Sequence, residues 1–193
     1  MVVAQGDSGS VMESREKDMA RRYVVWIMGP TSSGKTTIAR LFKKRLQEKG
    51  IEVAHFDGDD VRDSFGPDFG FAEKDRLRVV QTLVRLANEA LKDGSFVVVS
   101  ALTANQDARE YVVHNIERLI IVSLECGIPA CIQRDPKGLY GKAIKGDIKT
   151  VIGFNSEYVP PDNPHIVINT ETDTPDMCSE RLIKALTDLG VRL

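Results

Sequence analysis

The chain has 193 residues, 42% hydrophobic and 28% charged, with a net charge of −2 at pH 7. That length and balance suit one globular domain with a sizeable core. The near-neutral charge gives no general attraction to polyanions, and no apolar run is long enough to cross a bilayer, so neither nucleic acid nor membrane is an expected partner. Three cysteines, Cys126, Cys131 and Cys178, are too few and too scattered for a disulfide scaffold or a zinc site; free thiols and a cytoplasmic location are expected.

In chain order, residues 1–20 mix Gly, Ser, Asp, Glu and Lys without an apolar stretch and are expected to be a flexible leader before a single domain over 21–193. Tyr23–Met28 predicts a strand. It runs into Gly29-Pro30-Thr31-Ser32-Ser33-Gly34-Lys35-Thr36, which fits the phosphate-loop pattern G-x-x-x-x-G-K-[ST] at every fixed position. Thr36–Lys49 predicts the helix that follows, and this strand–loop–helix context separates the motif from a chance Gly/Ser turn with a surface lysine. Glycines let the loop aim consecutive N–H groups at a polyphosphate, and the helix adds its positive end. Gly29 to Thr37 are therefore predicted to hold ATP, with Lys35 reaching the β- and γ-phosphates and Thr36 holding Mg²⁺.

Further strands are predicted at Val53–Phe56, Phe96–Ser100, Leu119–Leu124 and His165–Asn169, and helices at Glu73–Lys92, Asn105–Ile116, Ile128–Arg134 and Pro175–Leu189. Leu77, Val80, Leu83, Val84, Ala87 and Leu91 recur every three or four residues as an apolar stripe. Strands alternating with helices through short joins call for an α/β fold: a parallel five-stranded sheet with helices on both faces. Residues 135–162, rich in Gly and Lys and without clear periodicity, are expected to form a mobile lid.

Ligands on such sheets gather beyond the carboxyl ends of the strands, which draws attention to Asp57-Gly58-Asp59-Asp60-Val61-Arg62 after the second strand. Phosphoryl transfer needs carboxylates to orient an acceptor hydroxyl and hold the metal, and Asp57 and Asp59 suit both tasks. The plainer alternative is an acidic turn that caps a short helix at Asp59. Arg62 offers a planar fork to an anion. Phe71 near Arg76 suits either a stacking face with a charge or a hydrophobic staple beside a surface arginine. Arg134, Lys137 and Lys142 place cations at the start of the lid, where they can neutralise a transferring phosphoryl group and exclude water; a solvated basic loop is the alternative.

These stretches together resemble the adenylylsulfate kinase family over about Val24 to Asn169. The resemblance rests on Gly29–Thr36, Asp57–Arg62, Gly70–Arg76, Arg134-Asp-Pro-Lys-Gly-Leu-Tyr140 with Lys142 and Ala143, Gly146-Asp-Ile-Lys149, and Pro161-Asp-Asn-Pro164. It implies a P-loop kinase fold, an ATP- and Mg²⁺-dependent transfer to the ribose 3′-hydroxyl of adenosine 5′-phosphosulfate, and a homodimer. Asp57 and Asp59 would serve the hydroxyl and Mg²⁺, Arg62 and Arg76 the phosphosulfate, and Phe71 the base. Arg134, Lys137 and Lys142 would belong to the lid, with Arg134 counted among the ATP-binding residues, and Lys137 and Lys142 are counted with the acceptor site, as are Ala101, Leu102, Thr103 and Phe154.

The chain departs from the family pattern on the acceptor side. Ala101-Leu102-Thr103-Ala104 stands where the family has Phe-Ile-Ser-Pro, with Thr103 at the position of a serine once proposed to carry phosphate. Val79 replaces an asparagine, Val151 an aromatic residue, and Asp60 the asparagine after Asp-Gly-Asp. These changes leave room for a different nucleotide acceptor, such as a cytidine diphosphate derivative used in surface-polysaccharide modification. A nucleotide-binding protein without turnover is a third reading, against which Lys35, Thr36, Asp57 and Asp59 argue.

Overall fold

The computed structural model describes residues 22–66 and 69–193; the leader expected over 1–20 lies outside the described residues. Five parallel strands form one sheet in the order β2-β3-β1-β4-β5. They are β1 (Val24–Met28), β2 (Val53–Asp57), β3 (Phe96–Ser100), β4 (Leu119–Glu125) and β5 (Ile166–Asn169). All five residues of β1 and of β3 are buried. Strands covered on both faces must be apolar throughout, which is why these segments read as continuous Val/Ile runs.

Two cores form on opposite faces of the sheet. On one, α1 (Lys35–Glu48) and α7 (Pro175–Asp188) set Ile38, Phe42, Leu46, Leu182 and Leu186 against Val25, Ile27, Val98 and Val122. On the other, α3 (Glu73–Lys92) and α4 (Gln106–Asn115) set Val80, Leu83, Val84, Ala87 and Val112 against Val24, Trp26, Val97 and Val99. Each large side chain removed from water contributes about 1.5–3 kcal/mol. The stripe read from α3 is this second layer. Thr174 caps α7 by accepting a hydrogen bond from the Met177 N–H at 3.3 Å, with Pro175 in the first turn, where a missing N–H costs nothing.

Two helices depart from the sequence expectations. The Asp-Gly-Asp stretch opens α2 (Gly58–Ser64), whose N-cap is Asp57 rather than Asp59. The Asp57 carboxylate is already turned toward this rim by the end of β2, so it meets the Asp59 N–H at 2.9 Å. Within the segment expected as an irregular lid, α6 (Leu139–Ile144) follows α5 (Ile128–Arg134). This region has a small core of its own, with Cys131, Tyr140, Ala143 and Val151 buried together. Three or four apolar residues in six positions are too few to announce a helix by periodicity.

The register fixes where chemistry gathers. Asp57 pairs with Ser100 across β2 and β3, and Ile27 pairs with Ser100 across β1 and β3. The last residues of β2 and β3 therefore reach the same rim as the loop leaving β1.

Candidate active site

The phosphate loop is shaped by two glycines with different jobs. At Gly29 a Cβ would lie 3.0 Å from the Leu124 carbonyl oxygen and 2.8 Å from Ser33 Oγ, so no larger residue lets the loop pass so close to β4. Gly34 sits at φ 94° as the N-cap of α1, a conformation that side-chain-bearing residues rarely adopt. Ser33 is wholly buried, and its carbonyl accepts a 2.9 Å bond from the Thr170 hydroxyl, at the end of β5.

Lys35 donates from its ammonium to the carbonyls of Gly29, at 3.0 Å, and Pro30, at 2.7 Å. Burial of this group lowers its pKa to about 8, with Asp59 and Asp57 opposing the shift. Beside it the Thr36 hydroxyl donates to Asp57 Oδ2 at 2.7 Å. Asp57, 5% exposed, also accepts from the Ser100 hydroxyl at 2.6 Å. His55 Nε2 lies 2.9 Å from the same Ser100 oxygen. Burial alone would raise the Asp57 carboxyl, but the bonds from Ser100, Thr36 and the Asp59 N–H outweigh it and hold it below the usual carboxylate range. Ser100 and Thr170 were not singled out from the sequence. A hydroxyl at the carboxyl end of the strand beside the P-loop strand is the signal that points to Ser100, and Thr170 stands directly after the last strand.

Asp59 is more than half exposed and pairs with Lys137, whose Nζ lies 2.5 Å from Oδ2. The segment after α5 thus touches the second aspartate directly. Arg134 turns the other way, donating to Thr170 O and standing 3.4 Å from Thr170 Oγ1. It ties α5 to the residue that latches the phosphate loop. Tyr140, wholly buried, donates its hydroxyl to Thr31 O at 3.0 Å, a link between α6 and the phosphate loop.

One cavity of about 570 Å³ joins these groups to the far side of the rim. Its near wall includes Lys35, Thr36, Asp57, Asp59, Arg134 and Lys137, together with the loop residues Thr31, Ser32, Gly34 and Thr37. Its far wall includes Arg62, Phe71, Arg76, Val79, Val80, Ala101, Leu102, Thr103, Val151 and Ile152. The Arg62 guanidinium stands 4.6 Å from the Phe71 ring centroid, and Phe71 is 52% exposed. Phe71 therefore offers a ring to the cavity and is not the staple of α3. Arg76 is not a free surface charge either: it donates to Phe71 O at 3.0 Å and to Thr150 O at 2.9 Å, joining the start of α3 to the lid.

Several expected residues lie elsewhere. Phe154 lines a second cleft, with Pro30, Ile128 and Tyr158, and packs edge-on against Tyr140 at 6.0 Å. The turn at Gly153, at φ 93°, carries it past the cavity and leaves Val151 and Ile152 on the wall instead. Lys142 is exposed on α6 and is not among the lining residues. Gly29 and Ser33 shape the loop from beneath, and Pro30 borders the second cleft. Thr103 borders the cavity but is only 5% exposed, and its Oγ1 accepts a 2.9 Å bond from the Trp26 indole. Such a hydroxyl is poorly placed to carry phosphate. Burial pushes the Cys131 thiol up to about 12, which leaves it inert at neutral pH.

Comparisons with known proteins agree with this geometry. Residues 21–169 match the family described as adenylylsulphate kinase. A probable adenylyl-sulfate kinase of Archaeoglobus fulgidus is 38% identical over 149 residues, covering 77% of this chain and 96% of that protein. The adenylyl-sulfate kinase of Chloroflexus aurantiacus is 36% identical over 168 residues, covering 87% of this chain and 90% of its own length. Among solved structures, the Mycobacterium tuberculosis APS kinase in complex with AMPPNP and APS superposes with a TM-score of 0.78 at 31% identity, covering 86% of this chain and 98% of that one.

Proposed function

The chain belongs to the adenylylsulphate kinase family, and from that premise we propose that this ATP-dependent kinase phosphorylates the ribose 3′-hydroxyl of adenosine 5′-phosphosulfate. The products are ADP and 3′-phosphoadenosine 5′-phosphosulfate. The observation that carries this reading is the single cavity joining Lys35, Thr36 and Asp57 to an arginine-backed aromatic ring at Phe71.

In this reading the loop amides and Lys35 hold the phosphates of ATP, and the ammonium draws off charge as the bond between the γ-phosphorus and the bridging oxygen lengthens. The acceptor hydroxyl forms the new P–O bond and gives its proton to Asp59, while ADP leaves. Asp59 is exposed and borders the cavity with Lys137 on one of its oxygens, whereas Asp57 takes three hydrogen bonds and is held ionised. Arg62 and Arg76 neutralise the acceptor's anionic group, and Lys137 brings the lid over the reacting atoms to keep water out.

The Thr36 hydroxyl donates its proton to the ionised Asp57 and so turns its lone pairs outward; Thr36 backed by Asp57 would fit Mg²⁺ when phosphate oxygens complete the shell. Among the described residues no group of three or more His, Cys, Asp or Glu side chains gathers as a metal site. A cation held this way is one that arrives with the nucleotide. Bound there, Mg²⁺ would spread the charge of the β- and γ-phosphates.

One observation favours a second acceptor. Val79 and Val151, which line the far wall of the cavity where the family pattern has an asparagine and an aromatic residue, are aliphatic. Another nucleotide carrying an anionic group would fit that wall. Release of ADP followed with ATP, Mg²⁺ and a panel of nucleotide acceptors decides between them. Saturable turnover with adenosine 5′-phosphosulfate is the expected result; turnover only with another nucleotide would select the second reading.

A further inference from the structure

Trp26 is the only tryptophan of the chain and lies wholly buried in the middle of β1. An indole N–H has no acceptor capacity, so in a core it must find an oxygen. It finds Thr103 Oγ1, at 2.9 Å, on the loop that leaves β3. Thr103 has φ 42°, in the left-handed region, as has Ser32 in the phosphate loop at φ 63°. For a β-branched side chain that conformation is a true outlier, and it persists only where the surroundings impose it.

Thr103 sits between Leu102 and Ala104, and with Ala101 these residues form one wall of the far end of the cavity. Turning the backbone at Thr103 back to an ordinary conformation would swing that wall. The loop is pinned on either side of Thr103, by the Ala101 N–H on Ile27 O at 3.0 Å and by Arg109 on Ala104 O at 2.6 Å, and the indole bond is the side-chain contact at the strained residue itself.

We infer that Trp26 is a positioning residue for the acceptor: its indole N–H holds Thr103 in the left-handed conformation and so sets the wall against which the acceptor seats. Trp26 itself touches neither substrate. The inference rests on reading the Phe71 end of the cavity as the acceptor's.

The test uses the full chain, with ATP and adenosine 5′-phosphosulfate each varied at saturating levels of the other. Thr103→Val keeps the shape of the side chain and removes the oxygen that the indole needs. It should raise the acceptor KM by about tenfold, the scale set by one buried hydrogen bond, while the KM for ATP stays put. Trp26→Phe should do the same, the double variant should be no worse than either single one, and Thr103→Ser should restore the original KM. In the unaltered protein the emission of the lone tryptophan should shift on adding the acceptor and not on adding ATP. Equal changes in both KM values, or additive effects of the two substitutions, would overturn the inference. Phe71→Ala separates the two ways of failing. If it raises the acceptor KM while Thr103→Val does not, only the role of Trp26 is lost; if neither variant moves that KM, the assignment of the far end to the acceptor falls with it.

Discussion

The near and far walls of the cavity are built on different principles. Around the phosphate loop, backbone carbonyls, hydroxyls and one carboxylate interlock: Lys35 with Gly29 and Pro30, Thr36 and Ser100 with Asp57, Thr170 with Ser33. Each group has a partner fixed by the ends of β1, β2, β3 or β5. The far wall is made by side chains from α2, α3, the loop after β3 and the lid, with Phe71, Val79, Val151 and Ile152 meeting across gaps in sequence of about 70 residues. On the proposed assignment of the two walls, the contrast teaches that the donor's site is a property of the fold, and the acceptor's site a property of a few side chains.

Removing the charge at the phosphate loop should have the largest effect. Lys35→Ala is expected to lower kcat/KM by about a thousandfold or more with every acceptor, with an unchanged circular dichroism spectrum. Full retained activity would remove Lys35 from the donor site. Next, Phe71→Ala should raise the acceptor KM about tenfold by loss of one stacking face, and leave the KM for ATP alone. An equal rise in both would mean that the two walls are not separable.

The gentlest probe is pH. The folded chain lowers the Lys35 pKa from 10.5 to about 8, so the ammonium is fully charged at pH 7 and loses its proton as the pH rises through 8. If ATP binds only the charged form, its Kd should be flat below pH 7 and rise about tenfold by pH 9. Calorimetric titration with ATP across that range reads the effect. A Kd unchanged up to pH 10 would show that Lys35 keeps an ordinary pKa.

The same contrast explains what was legible in the sequence. All five strands and the long helices were readable to within a residue or two, since each buries a continuous or periodic apolar set. The phosphate loop was readable because its glycines and lysine answer to backbone geometry at fixed spacing. Asp57 was readable from its place at a strand end, although its role as cap of α2 was not: capping depends on which carboxylate the strand aims at the helix. The place of Phe154 in the second cleft was not legible, because a single turn at Gly153 decides which side chains of residues 151–154 line the cavity. α6 was hidden because its apolar residues pack against Cys131 and Val151, and no local pattern reports such partners.

Thr170 bears on how the protein is made. Its hydroxyl secures the carbonyl of Ser33 across 137 positions of chain. A ribosome that has released β1 to β4 has therefore produced every residue of the nucleotide motif but not the clasp that holds it. During synthesis the nucleotide cradle is thus completed only once β5 has emerged and docked beside β4.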